Sequence, residues 1–144
     1  AASISMAPRV AIGQSVFTVG FPDVDMRSRQ LKLTEGHVAA LKGVQDDTRF
    51  IQVEGDFQAG NFGGGLFDEK GIVIGVITPN PPESFFLDVD GSNFEPLQYV
   101  TKGTRFQNLL NKLPGFQAET AAPADPKAAA NDAAVLVTVK RRQR

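Results

Sequence analysis

The stretch Asp56-Phe57-Gln58-Ala59-Gly60-Asn61-Phe62-Gly63-Gly64-Gly65-Leu66-Phe67-Asp68 decides how this chain is read. Glycine at 60, 63, 64 and 65 makes this a glycine-rich stretch of the kind that marks a loop. Read alone, such a loop is a turn. A phosphate-cradling loop would need Gly-Lys followed by Ser or Thr, and no such sequence follows. The flanks are β-prone: Phe50 to Val53 on one side and Ile72 to Ile77 on the other, the latter reached through the turn Asp68-Glu69-Lys70-Gly71.

Strand signals continue outward. Val16 to Val19 form a β-branched and aromatic run closed by Gly20-Phe21-Pro22. Leu31 and Leu33 alternate with Lys32 and Thr34, and Val38 to Leu41 resume the run beyond Gly36, where a bulge or sharp bend is expected. Gly43 with Gln45-Asp46-Asp47 predicts a hairpin turn, and Leu97 to Thr101 is a short strand candidate. Residues 23–28 and 83–95 read as loops. Phe106, Leu109, Leu110 and Leu113 recur at helical spacing behind Thr104 as N-cap and ahead of Pro114-Gly115. Residues 117–133, rich in Ala, Pro and Asp, carry too little apolar bulk to offset their ordering entropy, so a linker is expected there. After it come an apolar run, Ala133 to Val139, and a basic end, Lys140 to Arg144. Six strand candidates with one helix after them predict an all-β chain built as a small antiparallel barrel, with Val16, Leu33, Ile51, Ile74 and Val76 in its core.

Composition narrows the function classes. The 144 residues fit one small domain plus a tail, and 42% hydrophobic content is ordinary for a globular chain. A formal charge of −1 supplies no bulk field for nucleic acid or an anionic membrane. No apolar run reaches the roughly 18 residues of a spanning helix. Cysteine is absent, which excludes disulfides and thiolate metal sites without fixing a compartment. Asp56, Asp68 and Glu69 do not have calcium-loop spacing, and no metal or other cofactor is expected. The first residue is alanine with no signal-like segment after it, so the chain is expected to be a processed product or a fragment.

The loop and its flanks resemble trypsin-like serine peptidases of the bacterial HtrA type. Their nucleophile loop reads Gly-Asn-Ser-Gly-Gly-Pro-Leu and is followed by a strand Gly-x-Val-Ile-Gly, which Gly71-Ile72-Val73-Ile74-Gly75 resembles. Upstream, Ile12 to Pro22, Thr34-Glu35-Gly36-His37-Val38 and Arg49-Phe50-Ile51-Gln52-Val53 resemble three further family strands, and Leu97 to Leu110 resembles the last strand and closing helix. The likeness runs over residues 10–113. It implies the second of two six-stranded barrels, with one C-terminal helix and a flexible tail. The expected division is a barrel over residues 1–115 and a linker with basic tail over 116–144.

In that family the serine comes from the second barrel and its His and Asp partners from the first, so the first barrel is expected to lie outside this chain. At the serine position stands Phe62, which has no nucleophilic atom. The resemblance assigns the oxyanion-hole donors to the backbone N–H groups of Gly60 and Phe62. Gly65 replaces the family's proline, leaving three consecutive glycines where preorganisation is needed. His37, the sole histidine, falls mid-strand and is expected to be structural or exposed. The expectation is a catalytically inactive, protease-like domain that binds peptide or protein. Its predicted binding face is Asn61, Gly63 and Gly64, with Gln98, Tyr99 and Val100 as a strand edge open to an added strand. Expected partners are a first-barrel domain, a peptide or protein, or a second copy. The resemblance is compatible with an extracytoplasmic or periplasmic setting. The alternative is half of a split or truncated serine endopeptidase, which would need another nucleophile such as Ser15, Ser84 or Ser92.

Overall fold

The computed structural model describes residues 3–4, 9–22, 30–80, 97–114 and 122–134. The loops at 23–28 and 83–95, Ser84, Ser92, and the residues from 135 onward lie outside them.

Six antiparallel strands close into a barrel: β2 (Ser15–Gly20), β3 (Lys32–Ala40), β4 (Phe50–Gly55), β5 (Gly65–Asp68), β6 (Ile72–Ile77) and β7 (Gln98–Lys102). Pairing runs β2–β3–β4–β7–β6–β5 and returns from β5 to β2 through Val16↔Asp68 and Phe17↔Phe67. Closure removes the free edges that a six-stranded open sheet would present. A short strand β1 (Ser3–Ile4) adds in parallel to the start of β6, in a region that carries no strand signal in the sequence.

Alternation along the strands sorts side chains into two cores. Val16, Val38, Ile51, Val53, Leu66, Ile74, Ile77 and Val100 fill the barrel. Phe17, Val19 and Phe67 point outward and form a second cluster with Ala130. The Phe17 and Phe67 rings stack there with centroids 5.3 Å apart.

Several expectations need correction. Leu33 pairs with Val19, so it points outward and is 41% exposed. Val76 is only partly buried because β6 carries a bulge. Leu66 pairs with Gly75 but Phe67 pairs with Val73, which leaves Ile74 as the extra residue. Strict alternation breaks at that point, so Ile74 and Ile77 both enter the core while Val76 leaves it. The runs on either side of Gly36 form one strand. Its irregularity falls between Val38 and Ala40, while Gly36 lies against Gly55 where a Cβ would strike the Glu54 carbonyl. The sixth barrel strand is β5, whose glycine-rich start hides it in the sequence. Helix α1 (Gly103–Leu110) leaves β7 directly, so its N-cap is Lys102 rather than Thr104.

The largest difference is a second helix, α2 (Pro126–Ala133), inside the segment expected to be a linker. Composition understated it. Asp125 Oδ1 accepts the Ala128 N–H (3.0 Å), Pro126 sits in the first turn, and alanine has the best helix propensity of any residue. The helix packs its Ala130 onto the Phe17–Val19–Phe67 cluster.

Candidate functional site

The loop between β4 and β5 is pinned at three places. Residues Ala59–Asn61 make one 3-10 turn, in which the Asn61 N–H donates to the Gln58 carbonyl (2.8 Å) and the Gln58 N–H returns a bond to Asn61 Oδ1 (2.9 Å). Gly63 N–H donates to the Ile77 carbonyl (2.8 Å), and Ile77 N–H to the Gly64 carbonyl (3.0 Å), which ties the loop to the end of β6. The third attachment is to the end of β2, where Phe21 N–H donates to the Gly60 carbonyl (3.2 Å). The backbones approach so closely that a Cβ at Gly60 would run into the Phe21 carbonyl, and one at Gly20 would lie 2.6 Å from the Gly60 oxygen. Glycine at 20 and 60 is therefore a packing requirement.

Asn61 is 1% exposed and plugs the barrel end beneath the loop, with its Nδ2 lacking a hydrogen-bond partner. Its side chain holds the turn and does not reach the surface. Gly63 is exposed and Gly64 half-buried. Phe62 is 37% exposed. Its backbone is extended, and its N–H donates to the Ala59 carbonyl (3.2 Å). One of the two donors that the resemblance assigns to an oxyanion hole is thus engaged inside the loop.

Beside Phe62 lies a groove of about 550 Å³, walled by the Gly60–Gly65 loop, the end of β2 at Val19–Phe21, and Ala133–Ala134 at the end of α2. Every described residue lining it is Gly, Ala, Val or Phe, so among the described residues only backbone groups offer polarity there. Among the described residues it is lined by no hydroxyl, imidazole or carboxylate.

The strand edge predicted at Gln98, Tyr99 and Val100 is not open. β7 pairs with β4 on one side and β6 on the other, and all three residues are buried. Side chains add to this closure. Gln98 Nε2 donates to the carbonyls of Thr78 and Tyr99, and Asn80 Oδ1 accepts the Tyr99 N–H (3.1 Å). Barrel closure, which depends on long-range pairing, is what the local strand pattern could not reveal.

Ser15 and His37 are directly opposed on β2 and β3, and His37 Nε2 lies 3.1 Å from Glu54 on β4. All three residues are exposed, no hydrogen bond joins Ser15 to His37, and neither lines the Phe62 groove. They form a cross-strand polar row on the outside of the barrel. Among the described residues no group of His, Asp and Glu is placed to hold a metal ion, and no helix is long and apolar enough to cross a membrane.

Comparison with known proteins agrees with this architecture. Residues 1–76 match the trypsin-like peptidase domain family. The chain is also 35% identical over 106 residues to an uncharacterized protein, y4bJ, of Sinorhizobium fredii. The alignment covers 74% of this chain but 17% of that relative, so the chain spans about a sixth of its length. With the closed six-stranded barrel and the glycine-rich loop at its mouth, the chain belongs to the trypsin-like peptidase domain family.

Proposed function

We propose that this domain is a degenerate, non-hydrolytic member of its family that binds polypeptide through the groove beside Phe62. The observation that carries the reading is the identity and setting of Phe62. An aromatic ring occupies the position that the HtrA-type resemblance gives to the nucleophile, and the described side chains lining the groove beside it are all apolar. Acyl transfer needs an attacking heteroatom with a base in reach, and the described residues of the groove lining include neither. A glycine-walled apolar groove with exposed backbone suits an extended, uncharged peptide segment.

Selection of displayed peptides on the wild-type chain, with counter-selection on Phe62→Asp, tests the reading. The expected ligands are apolar and lose roughly tenfold or more in affinity for the variant, because an aspartate would be desolvated in the contact. Ligands that bind both forms equally would place recognition elsewhere.

A further inference from the structure

The outer face of β2 and β5 is apolar, yet among the described residues the helix that covers it is slight. Among the described residues, Leu31 and Val73 pack at the sides of Phe17, Val19 and Phe67, and α2 with Ala134 lies over them, contributing a single fully buried residue, Ala130. The other fastenings are peripheral. Lys127 Nζ meets Glu35 Oε1 at 2.6 Å, with both side chains more than half exposed. Pro123 and Pro126 rest on Gly71, where any Cβ would come within 3 Å of them. An exposed ion pair holds weakly. A helix of eight residues does not persist in water without its docking surface. The barrel beneath is closed on itself and does not need α2 to complete any strand pairing. α2 also forms part of the groove: Ala130, Ala133 and Ala134 are one of its walls.

We propose that α2 is a releasable strap, an intramolecular ligand of the barrel's outer face that gates the Phe62 groove. Docked, it narrows the groove and keeps Phe17, Val19 and Phe67 from water. Released, it removes the alanine wall and joins those three side chains to Phe62 in one continuous apolar surface. The seated helix also defines what can replace it: a segment with small or apolar uncharged residues on its contact face and a cation one turn earlier to reach Glu35, as Lys127 precedes Ala130. Strap release stands on these contacts alone. Its consequence for binding rests on the proposed function of the groove.

Native-state hydrogen exchange on the full chain tests the strap without any variant. Amides of 128–133 should exchange at least about tenfold faster than those of β4 and β7, through an opening that leaves the barrel protected. In Ala130→Glu, which sets a carboxylate against Phe17 and Phe67, α2 protection should vanish while β4 and β7 keep theirs. Fluorescence of anilinonaphthalene sulfonate, the probe for the uncovered face, should then rise several-fold. Lys127→Glu should have a smaller effect of the same kind, reversed by adding Glu35→Lys. If α2 and barrel amides exchange together in the wild type, α2 is an integral part of the barrel and the proposal is overturned. Release of α2 with no accompanying rise in dye fluorescence would also overturn it. A chain whose strap releases as described but which selects no peptide contradicts the groove's proposed function and leaves the strap intact.

Discussion

Phe62 is where a single side chain decides the chemistry. Restoring the family's residue should not restore its activity: Phe62→Ser is expected to leave casein turnover at background, because no imidazole lines the groove and the Phe62 N–H is bonded within the loop. Measurable turnover by that variant would show that a base reaches the loop. Gly60→Ala is the sharper structural test. Its methyl would collide with backbone at Phe21 and Pro22, which cannot yield as a side chain can, so a loss of about 2–3 kcal/mol in unfolding free energy is expected. The substituted position and the glycine spacing were legible in the sequence because they lie in one contiguous motif. The burial of Asn61 was not, since it depends on how the loop folds down onto the barrel end.

At the scale of elements, β6 and the β3–β4 turn each make a prediction. The bulge predicts that Ile74→Ala and Ile77→Ala each cost about 2–4 kcal/mol in denaturant unfolding, whereas Val76→Ala costs less than about 1 kcal/mol. Strict alternation, which puts Ile74 and Val76 on one core face, predicts instead that Val76→Ala is costly and Ile77→Ala is not. The turn is held by Asp47, which accepts the Arg49 backbone N–H (2.9 Å) and binds its guanidinium (2.6 Å). These bonds to Arg49 pull the Asp47 carboxyl down from 3.8 to about 2. A lowered folded value means the contribution is complete above the unfolded value and is lost as pH falls through the folded one. Thermal melts should therefore separate wild type from Asp47→Asn at pH 5 and above, and the gap should close as pH falls from about 4 to 2. Most strands were legible because hydrophobic alternation is local. β5 was hidden by glycine, and α2 by a composition dominated by alanine and proline. In α2 the signals that mattered were the Asp125 cap, the proline in the first turn and a face small enough to seat on stacked phenylalanines.

For the whole molecule, barrel closure and the covered outer face are the two facts that local pattern could not supply. Closure takes the β7 edge out of play as a peptide site and leaves the mouth at Phe62 as the candidate surface. An exposed phenylalanine beside a groove whose described lining is uncharged predicts association. Light scattering over a concentration series should show the full chain departing from monomer, and Phe62→Asp should move it back. Invariant monomer mass in both forms would place the contact surface elsewhere. The central claim, that this trypsin-like barrel lacks a working nucleophile, is tested most directly by intact-mass measurement after treating the full chain with a fluorophosphonate probe. The account predicts an unchanged mass. A stoichiometric adduct on Ser15, Ser84 or Ser92 would contradict it.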